Sequence, residues 1–591
     1  MSKKPYSGPS RKLVLAFDVG TTFSGVSYCV LDPGQVPDVR TVTRFPCQER
    51  SGGDSKIPTV VWYDRDDGFV CAGAEAVVDG KDLEAEEKEW SKAEWFKMHL
   101  RPIRQRPSGF TNDIASLPPN KSVVDVFADF LRYLFVCTKT YITETHASGE
   151  TIWDSLIGNI DLVLTHPNGW EGSQQMQMRK AAVQAGIFSS TEEGSQRLLF
   201  ATEGEASLHY CIQSGLSTED MKKGEGTLII DAGGGTVDLS AYKGTGDVFE
   251  EIAIPQCHFK GSIFVTARGR DHFKKLLAGT RFSDEIDSLI EAFDRGAKVG
   301  FRKEDETYAI RFTSARENEP DLGIRSGQIK VPGAIIATFF QPSVDCIVKA
   351  AKEQISSSKY KITSIFLVGG FAASDWLFKK LREAFDDTEI TLSRPDSHVN
   401  KAVSDGAIYT YLDRSVHARI LRWSYGTNTS QEFDESKPEH SDRRHLAHKH
   451  WRTGKFILSN RFVPIVHKGQ TISTKSEYKL QTTKSFKPGE PRIVRVPIHQ
   501  YRGRSRNPTW IDDEADKYVT AATIEVDASC MRPEADWSHR YKKMVTRYFF
   551  DVVLMFGQAE LKAQLAWTEK GVKKRSDAKI IYEVELDKDE R

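Results

Sequence analysis

The chain has 591 residues, with 82 Lys and Arg balancing 82 Asp and Glu, so its formal net charge at pH 7 is zero. That balance leaves no cation surplus for sequence-blind binding to nucleic acid or an anionic membrane, and any such contact has to be local. With 39% hydrophobic residues the composition is that of an ordinary globular protein, and at roughly 150 residues per domain the length predicts about four core-forming units.

The start, MSKKPYSGPSRK, lacks the apolar core of a secretory signal, and residues 1–11 are expected to be disordered. No apolar run approaches the ~18 residues of a membrane span, so a soluble, intracellular protein is expected. Eight scattered cysteines without any CxxC predict reduced, structural thiols rather than disulfides or zinc ligands. A buried strand is predicted at LVLAF (13–17), leading into FDVGTTFSGVSYCVL (17–31), which reads as strand, tight turn and returning strand. Next comes the acidic run EAEEKE (84–89), beside which Trp90 and Trp95 read as a packed helix edge. Helical periodicity marks 123–142, 176–186, 264–278, 335–355 and 374–385, alternating with apolar strands at 161–165, 227–231 and 364–368. Strands alternating with helices predict an α/β fold. Pro342 is expected to kink or split its helix.

Beyond about residue 412 the pattern changes to short β runs, FVPIV (462–466), RIVRVPI (492–498), VTAATIEV (519–526) and YFFDVVLMF (548–556), and predicts a mainly antiparallel β domain. The polar stretch 429–450, with His440, His445, His448 and His450, is expected to be a mobile, solvated loop rather than a metal site. The KKR at 573–575 reads as a basic β-turn, with a nuclear signal as the alternative.

The first half repeats itself. IDAGGGTVDLSAY (230–242) has the same strand, Asp-x-Gly and strand pattern as 17–31, about 213 positions later. Backbone N–H groups in such turns form a concavity for phosphate oxygens, and Gly20, Gly233, Gly234 and Gly235 let the backbone come close. Thr21, Thr22 and Thr236 add hydroxyls, and Asp18 and Asp231 add carboxylates that suit the water shell of Mg2+. Glu203, between apolar Leu199, Phe200, Ala206 and Leu208, is a carboxylate whose burial needs a nearby cation. Gly369 and Gly370 in FLVGGFAAS (366–374) end a strand and open a helix, which suits close packing on a flat ring.

With TEGEAS (202–207), LVGGFAAS and NKAVSDGAIYTY (400–411) in this order, residues 12–412 resemble the actin-fold ATPases and, among them, the 70-kDa heat-shock chaperones, most closely the divergent member 12-like branch. The resemblance implies a duplicated, ribonuclease H-like, two-lobed ATPase domain over 12–412 and, more faintly, a lidless β-rich substrate-binding domain over 413–591. It implies ATP or ADP with Mg2+ as ligands, held by Asp18, Gly20, Thr21, Thr22, Phe23, Gly233, Gly234, Gly235, Lys298, Gly369, Gly370 and Phe371. Lys97, Glu203, Asp231, Thr236 and Asp238 would be catalytic, with Asp18, Glu203 and Asp231 reaching Mg2+ through water. Pro167 and Arg179 resemble the pair that relays nucleotide state between domains. Phe371 and Ala373 replace the family's adenine-side serine and arginine, and the linker 412–426, with Arg414, Arg419, Arg422 and Trp423, is basic and aromatic instead of acidic and leucine-rich. The expected function is an ATP-hydrolysing, chaperone-like protein of the cytoplasm, or of the nucleus if KKR is a signal. A peptide or protein client, a co-chaperone and an exchange factor are its candidate partners, with no nucleic acid and no membrane. The alternatives are a nucleotide-gated scaffold and a small-molecule kinase.

Overall fold

Two stretches that end in Asp-x-Gly fold into two copies of one topology. The computed structural model describes residues 4–48, 55–101, 114–170, 172–214, 224–245, 248–395, 402–413, 416–556, 561–569, 571–576 and 579–581. Arg414, Asn400, Lys401 and the terminal run 582–591 lie outside them. The chain divides into two units, Met1–Trp170 with Gln177–Val416, and Glu171–Met176 with His417–Arg591.

In the first unit, β1 (Lys12–Val19) pairs antiparallel with β2 (Phe23–Leu31) and parallel with β3 (Ile160–His166), which pairs parallel with β4 (Leu198–Thr202). The second sheet repeats this with β5 (Gly226–Ala232), β6 (Val237–Thr245), β7 (Ile362–Val368) and β8 (Thr391–Ser393). β1 and β5 are buried along almost their whole length, which is why they read as continuous apolar runs rather than alternating ones. This mixed α/β architecture is consistent with an actin-like, two-lobed arrangement.

Each sheet is followed by a helix that packs on the other. α1 (Glu203–Gln213) follows β4 but buries Leu208 and Ile212 against Ile229, Tyr242 and Val368 of the second sheet. α2 (Ala402–Asp413) follows β8 but packs Val403, Ala407 and Ile408 against Val14, Ala16 and Val163 of the first. The two helices cross so closely that a Cβ at Gly406 would lie 1.9 Å from the Ala206 carbonyl oxygen. Ser27 Oγ donates to Asp405 at 2.5 Å and fixes α2 to β2.

Several expectations change. Pro342 does not split its helix, which runs unbroken from Gly333 to Ser357; Arg268 donates to the Phe339 carbonyl and, at 3.4 Å, to Ser343 Oγ on the same stretch. By length and composition this helix could span a membrane, but half of its most apolar window is buried, as in a core helix. At the N-terminus, Tyr6 exchanges backbone hydrogen bonds with Gln35 and Gly34, both at 2.8 Å, so part of the segment expected to be disordered is tied down.

The second unit has two antiparallel sheets, one with Ser424–Glu432, Phe456–Val466, Ile493–Tyr501 and Tyr518–Asp527, the other with Glu477–Ser485, Lys543–Phe556 and Leu561–Glu569. Val494, Ile498 and Ile524 of the first share a core with Phe550, Val552 and Leu565 of the second. The stretch 429–450 is largely exposed, but it is not an irregular loop throughout. It completes a strand and then makes two short helical turns, Pro438–Ser441 and Arg444–Leu446. His440 is fully buried, its ring 5.6 Å from Trp510 and its Nδ1 accepting from the Asp434 N–H at 3.0 Å. Arg443 covers the other contact, stacking 4.8 Å from Trp510 and pairing with Asp512 and Asp513. Lys573, Lys574 and Arg575 lie on a short strand rather than a turn.

Candidate functional site

The turns after β1 and β5 face each other across a cleft of about 460 Å3 within the first unit. A Cβ on Gly234 would sit 2.3 Å from Thr22 Oγ1, and one on Gly235 would sit 2.4 Å from Thr21 Oγ1, so only glycine allows the two turns to approach this closely. The carbonyls of Gly233, Gly234 and Gly235 accept from the N–H groups of Ser262, Ile263 and Gly261 at 3.0–3.2 Å. In a planar peptide the N–H points opposite to its carbonyl, so those of Gly234, Gly235 and Thr236 point away from the 261–263 turn. Gly261 has no room for a side chain either, since its Cβ would meet the Gly234 oxygen at 2.3 Å.

Between the turns stand three carboxylates, Asp18, Glu203 and Asp231, and two ammonium groups, Lys56 and Lys97. Lys97 sits on the short 3-10 turn Phe96–Leu100, whose flanking Phe96 packs edge-on against Phe127 and Phe130. Its Nζ donates to Glu203 at 2.7 Å and lies 5.7 Å from the Trp170 ring. Glu203 is the first residue of α1, where the positive end of the helix favours a negative charge, and Thr202 caps that end through the Glu205 N–H at 3.2 Å. Asp18 accepts from Lys56 at 2.7 Å and from Thr165 at 2.9 Å, and Asp231 accepts from Ser207 of α1 at 2.8 Å.

Burial alone would raise the Asp18 pKa, but Lys56 and Lys97 hold it below the ordinary range. Burial likewise opposes the charge on Lys97, yet Glu203 and Asp18 raise its pKa and keep it protonated. Burial raises the Glu203 carboxyl against the pull of Lys97. Asp231 goes from the ordinary 3.8 to about 7, through burial first and Glu203 second. Asp238 is pushed well above the usual range for the same two reasons. Carboxylates crowd one another in the site, and burial with that like-charge crowding is what raises Asp231; a bound cation relieves both. Among the described residues no three of His, Cys, Asp and Glu converge to ligate a metal directly, so the carboxylates fit a cation held through water and phosphate oxygens.

No family model matches the chain. It is 22% identical to mouse heat shock 70 kDa protein 12A over 95% of its own length and 90% of that protein's. Human 12A is also 22% identical, over 93% of the chain and 89% of the relative, and human 12B is 22% identical over 88% and 85%. The chain resembles the heat-shock-70 member 12-like branch.

In the chain, Asp18, Gly20, Thr21, Thr22, Phe23, Lys97, Glu203, Asp231, Gly233, Gly234, Gly235, Thr236, Lys298, Gly369, Gly370 and Phe371 all line this cleft. Asp238 does not. It is buried behind the second turn, where Oδ1 accepts from the Asn168 N–H at 2.5 Å. Its Oδ2 lacks a hydrogen bond of normal geometry, and the Asn168 N–H first and the Thr236 hydroxyl second favour its charged form. Phe371 belongs mainly to the core, 6.0 Å from Phe340, and forms a wall of the cleft. Lys298 follows a single π-helical turn, Phe293–Ala297, and is held by Asp294 at 2.5 Å and Thr266 at 3.0 Å. Next to Pro167, His166 lies 5.9 Å from Phe200, over which Arg179 stacks at 5.1 Å.

Four residues escaped the sequence reading. Lys56 sits on a three-residue strand paired with β2, and nothing local marks it as the partner of Asp18. Trp95 does not join an acidic helix edge; it lines the cleft, with a left-handed backbone (φ 53°) that starts the Lys97 turn. Ser207 and Arg394 act on the site from behind, the latter donating to the Ala372 carbonyl at 3.0 Å. A hydroxyl one helical turn after Glu203 was the only available signal for Ser207.

Proposed function

We propose that the chain binds ATP with Mg2+ in this cleft and hydrolyses it, and that nucleotide state biases the β-rich unit, which holds an extended peptide or protein segment. The observation that carries this reading is the approach of two duplicated Asp-x-Gly turns over a buried Lys97–Glu203 pair. Asp18, Glu203 and Asp231 would hold the cation through its water shell, and the cation would supply charge neutralisation on the phosphates. Thr21, Thr22, Thr236 and the N–H groups of Gly234 and Gly235 donate to phosphate oxygens. Lys97 places its ammonium where charge gathers on the terminal phosphate, and Glu203 orients both Lys97 and the attacking water. Asp238 is a positioning residue that ties the second turn to Asn168. Lys298, Gly369, Gly370 and the Phe371 wall form the nucleoside end. The cytoplasm is the proposed location, and co-chaperones or exchange factors are candidate partners.

A second reading, a nucleotide-gated scaffold without turnover, is favoured by one observation: both ammonium groups are already engaged by carboxylates. Calorimetric titration with ATP, ADP and AMP, with and without Mg2+, tests the first reading. Tight, Mg2+-dependent binding of ATP and ADP is expected, and absence of binding would remove the assignment. Phosphate release under the same conditions separates turnover from gating.

A further inference from the structure

In the β-rich unit two turns meet and carry the same unusual composition. Glu534–Ser538 and Lys543–Phe556 form a hairpin whose tip reads SHRYKKM (538–544), and beside it runs HKHWRTGK (448–455). The His539 N–H donates to the Arg452 carbonyl at 2.7 Å and the Arg540 N–H to that of Trp451 at 3.3 Å, so the two turns form one surface. Large apolar side chains stand out from it: Trp537 (46% exposed), Met544 (57%), Tyr541 (38%) and Phe456 (50%). Trp537 and Met544 are cross-strand partners and so emerge on the same face.

Basic charge dominates this surface. Asp536 is taken by Arg452 and Arg547, and Glu432 by Lys455. Lys449, Arg540, Lys542 and Lys543 make no ion pair among the described residues. Lys449 lies over the Phe456 ring at 5.7 Å and Arg540 over Tyr541 at 5.9 Å, so cation and ring are presented together. In a chain of zero net charge this is a local basic and aromatic patch, the kind of contact that composition leaves open.

We infer that this double turn is a docking site for an anionic phospholipid surface. The cations meet headgroup phosphates and carboxylates, while the Trp537, Tyr541, Phe456 and Met544 side chains enter the boundary between headgroups and acyl chains. Charge alone would suit nucleic acid equally well. The apolar side chains decide for lipid: they protrude from a hairpin tip, and a thioether stands among them, whereas single-stranded nucleic acid needs rings laid out as a stacking platform along a groove. With a few side chains and no lipid anchor the attachment is reversible and weakens with salt. The inference does not depend on nucleotide binding in the first unit.

Co-sedimentation of the full chain with vesicles tests it. Binding is expected to phosphatidylcholine vesicles doped with phosphatidylserine, not to phosphatidylcholine alone, and should fall as salt is raised. Trp537→Ser with Met544→Ser, and separately Lys542→Glu with Lys543→Glu, should each lower the partition coefficient at least ~tenfold. Nucleotide affinity and circular dichroism serve as controls that the variants fold. Three results overturn the inference: no phosphatidylserine dependence, full binding by the Trp537 and Met544 variant, or a charge-dependent affinity for a single-stranded oligonucleotide that exceeds that for vesicles.

Discussion

Asp231 carries the clearest electrostatic signature. Its carboxyl is raised to about 7 in the folded chain from an ordinary 3.8, so between about pH 4 and 7 the native state binds more protons than the unfolded one, and stability falls as pH rises through that window. Asp231→Asn keeps an acceptor for Ser207 and removes the buried charge. The ligand-free variant should be more stable than the parent at pH 8, by on the order of 2 kcal/mol, with the gap closing toward pH 4. Denaturant melts at the two pH values measure this, and the same variant should lose at least ~tenfold in Mg2+-dependent turnover. Equal stability at both pH values would mean that the carboxylate is compensated in the free protein. Lys97 makes a different demand, because its ammonium is raised and held by Glu203. Lys97→Ala should reduce turnover far more than ADP affinity, since charge shifts on the terminal phosphate; parallel losses measured by single-turnover kinetics and titration would make it a general binding residue.

At the level of elements, one helix does the work of aligning two carboxylates. α1 begins with Glu203 and, one turn later, reaches Asp231 through Ser207. Its close crossing with α2 sets the relative height of the two turns. Gly406→Ala puts a methyl carbon where the Ala206 carbonyl oxygen now lies, at 1.9 Å, and should cost ~3 kcal/mol by overpacking. Thermal melts together with turnover test this: loss of turnover beyond the loss of folded protein would mark the crossing as part of site alignment, and an unchanged melting temperature would refute the packing argument. The sequence made the repeated turns legible because each is a local pattern, a strand, an aspartate and small residues within a dozen positions. It also made the alternating helices and strands legible, since their periods are local. Lys56 was not, because its ion pair joins two positions 38 residues apart and no periodicity encodes such a partner. Nor was the packed stretch around His440. Its polar composition suggested solvation, but Trp510, Asp512 and Asp513, some 70 residues on, supply the burial and the countercharge.

For the whole molecule, the proposed coupling needs ATP to favour one arrangement of the two units by several kcal/mol over the other. The basic, aromatic segment 412–426 is the place to look. Ala418–Ile420 pair with Thr471–Ser473, and Trp423 lies between Arg422 at 5.0 Å and Lys468 at 5.5 Å. ATP, and not ADP, should change hydrogen-exchange protection in this segment and in the β-rich unit. Pro167→Gly should weaken that change while ATP stays bound; identical exchange in all nucleotide states would leave the units independent. Within the first unit, the crossing of α1 and α2 has a mechanical consequence. At its tightest point the contact is a glycine against a backbone carbonyl, Gly406 on Ala206, with only small side chains such as Ala402 and Ala407 beside it. A smooth contact of this kind resists compression but offers little resistance to turning. It behaves as a fulcrum: a small rotation about Ala206 and Gly406 moves the lobes as levers, and the gap between the two glycine turns opens or closes by the angle multiplied by their distance from the pivot.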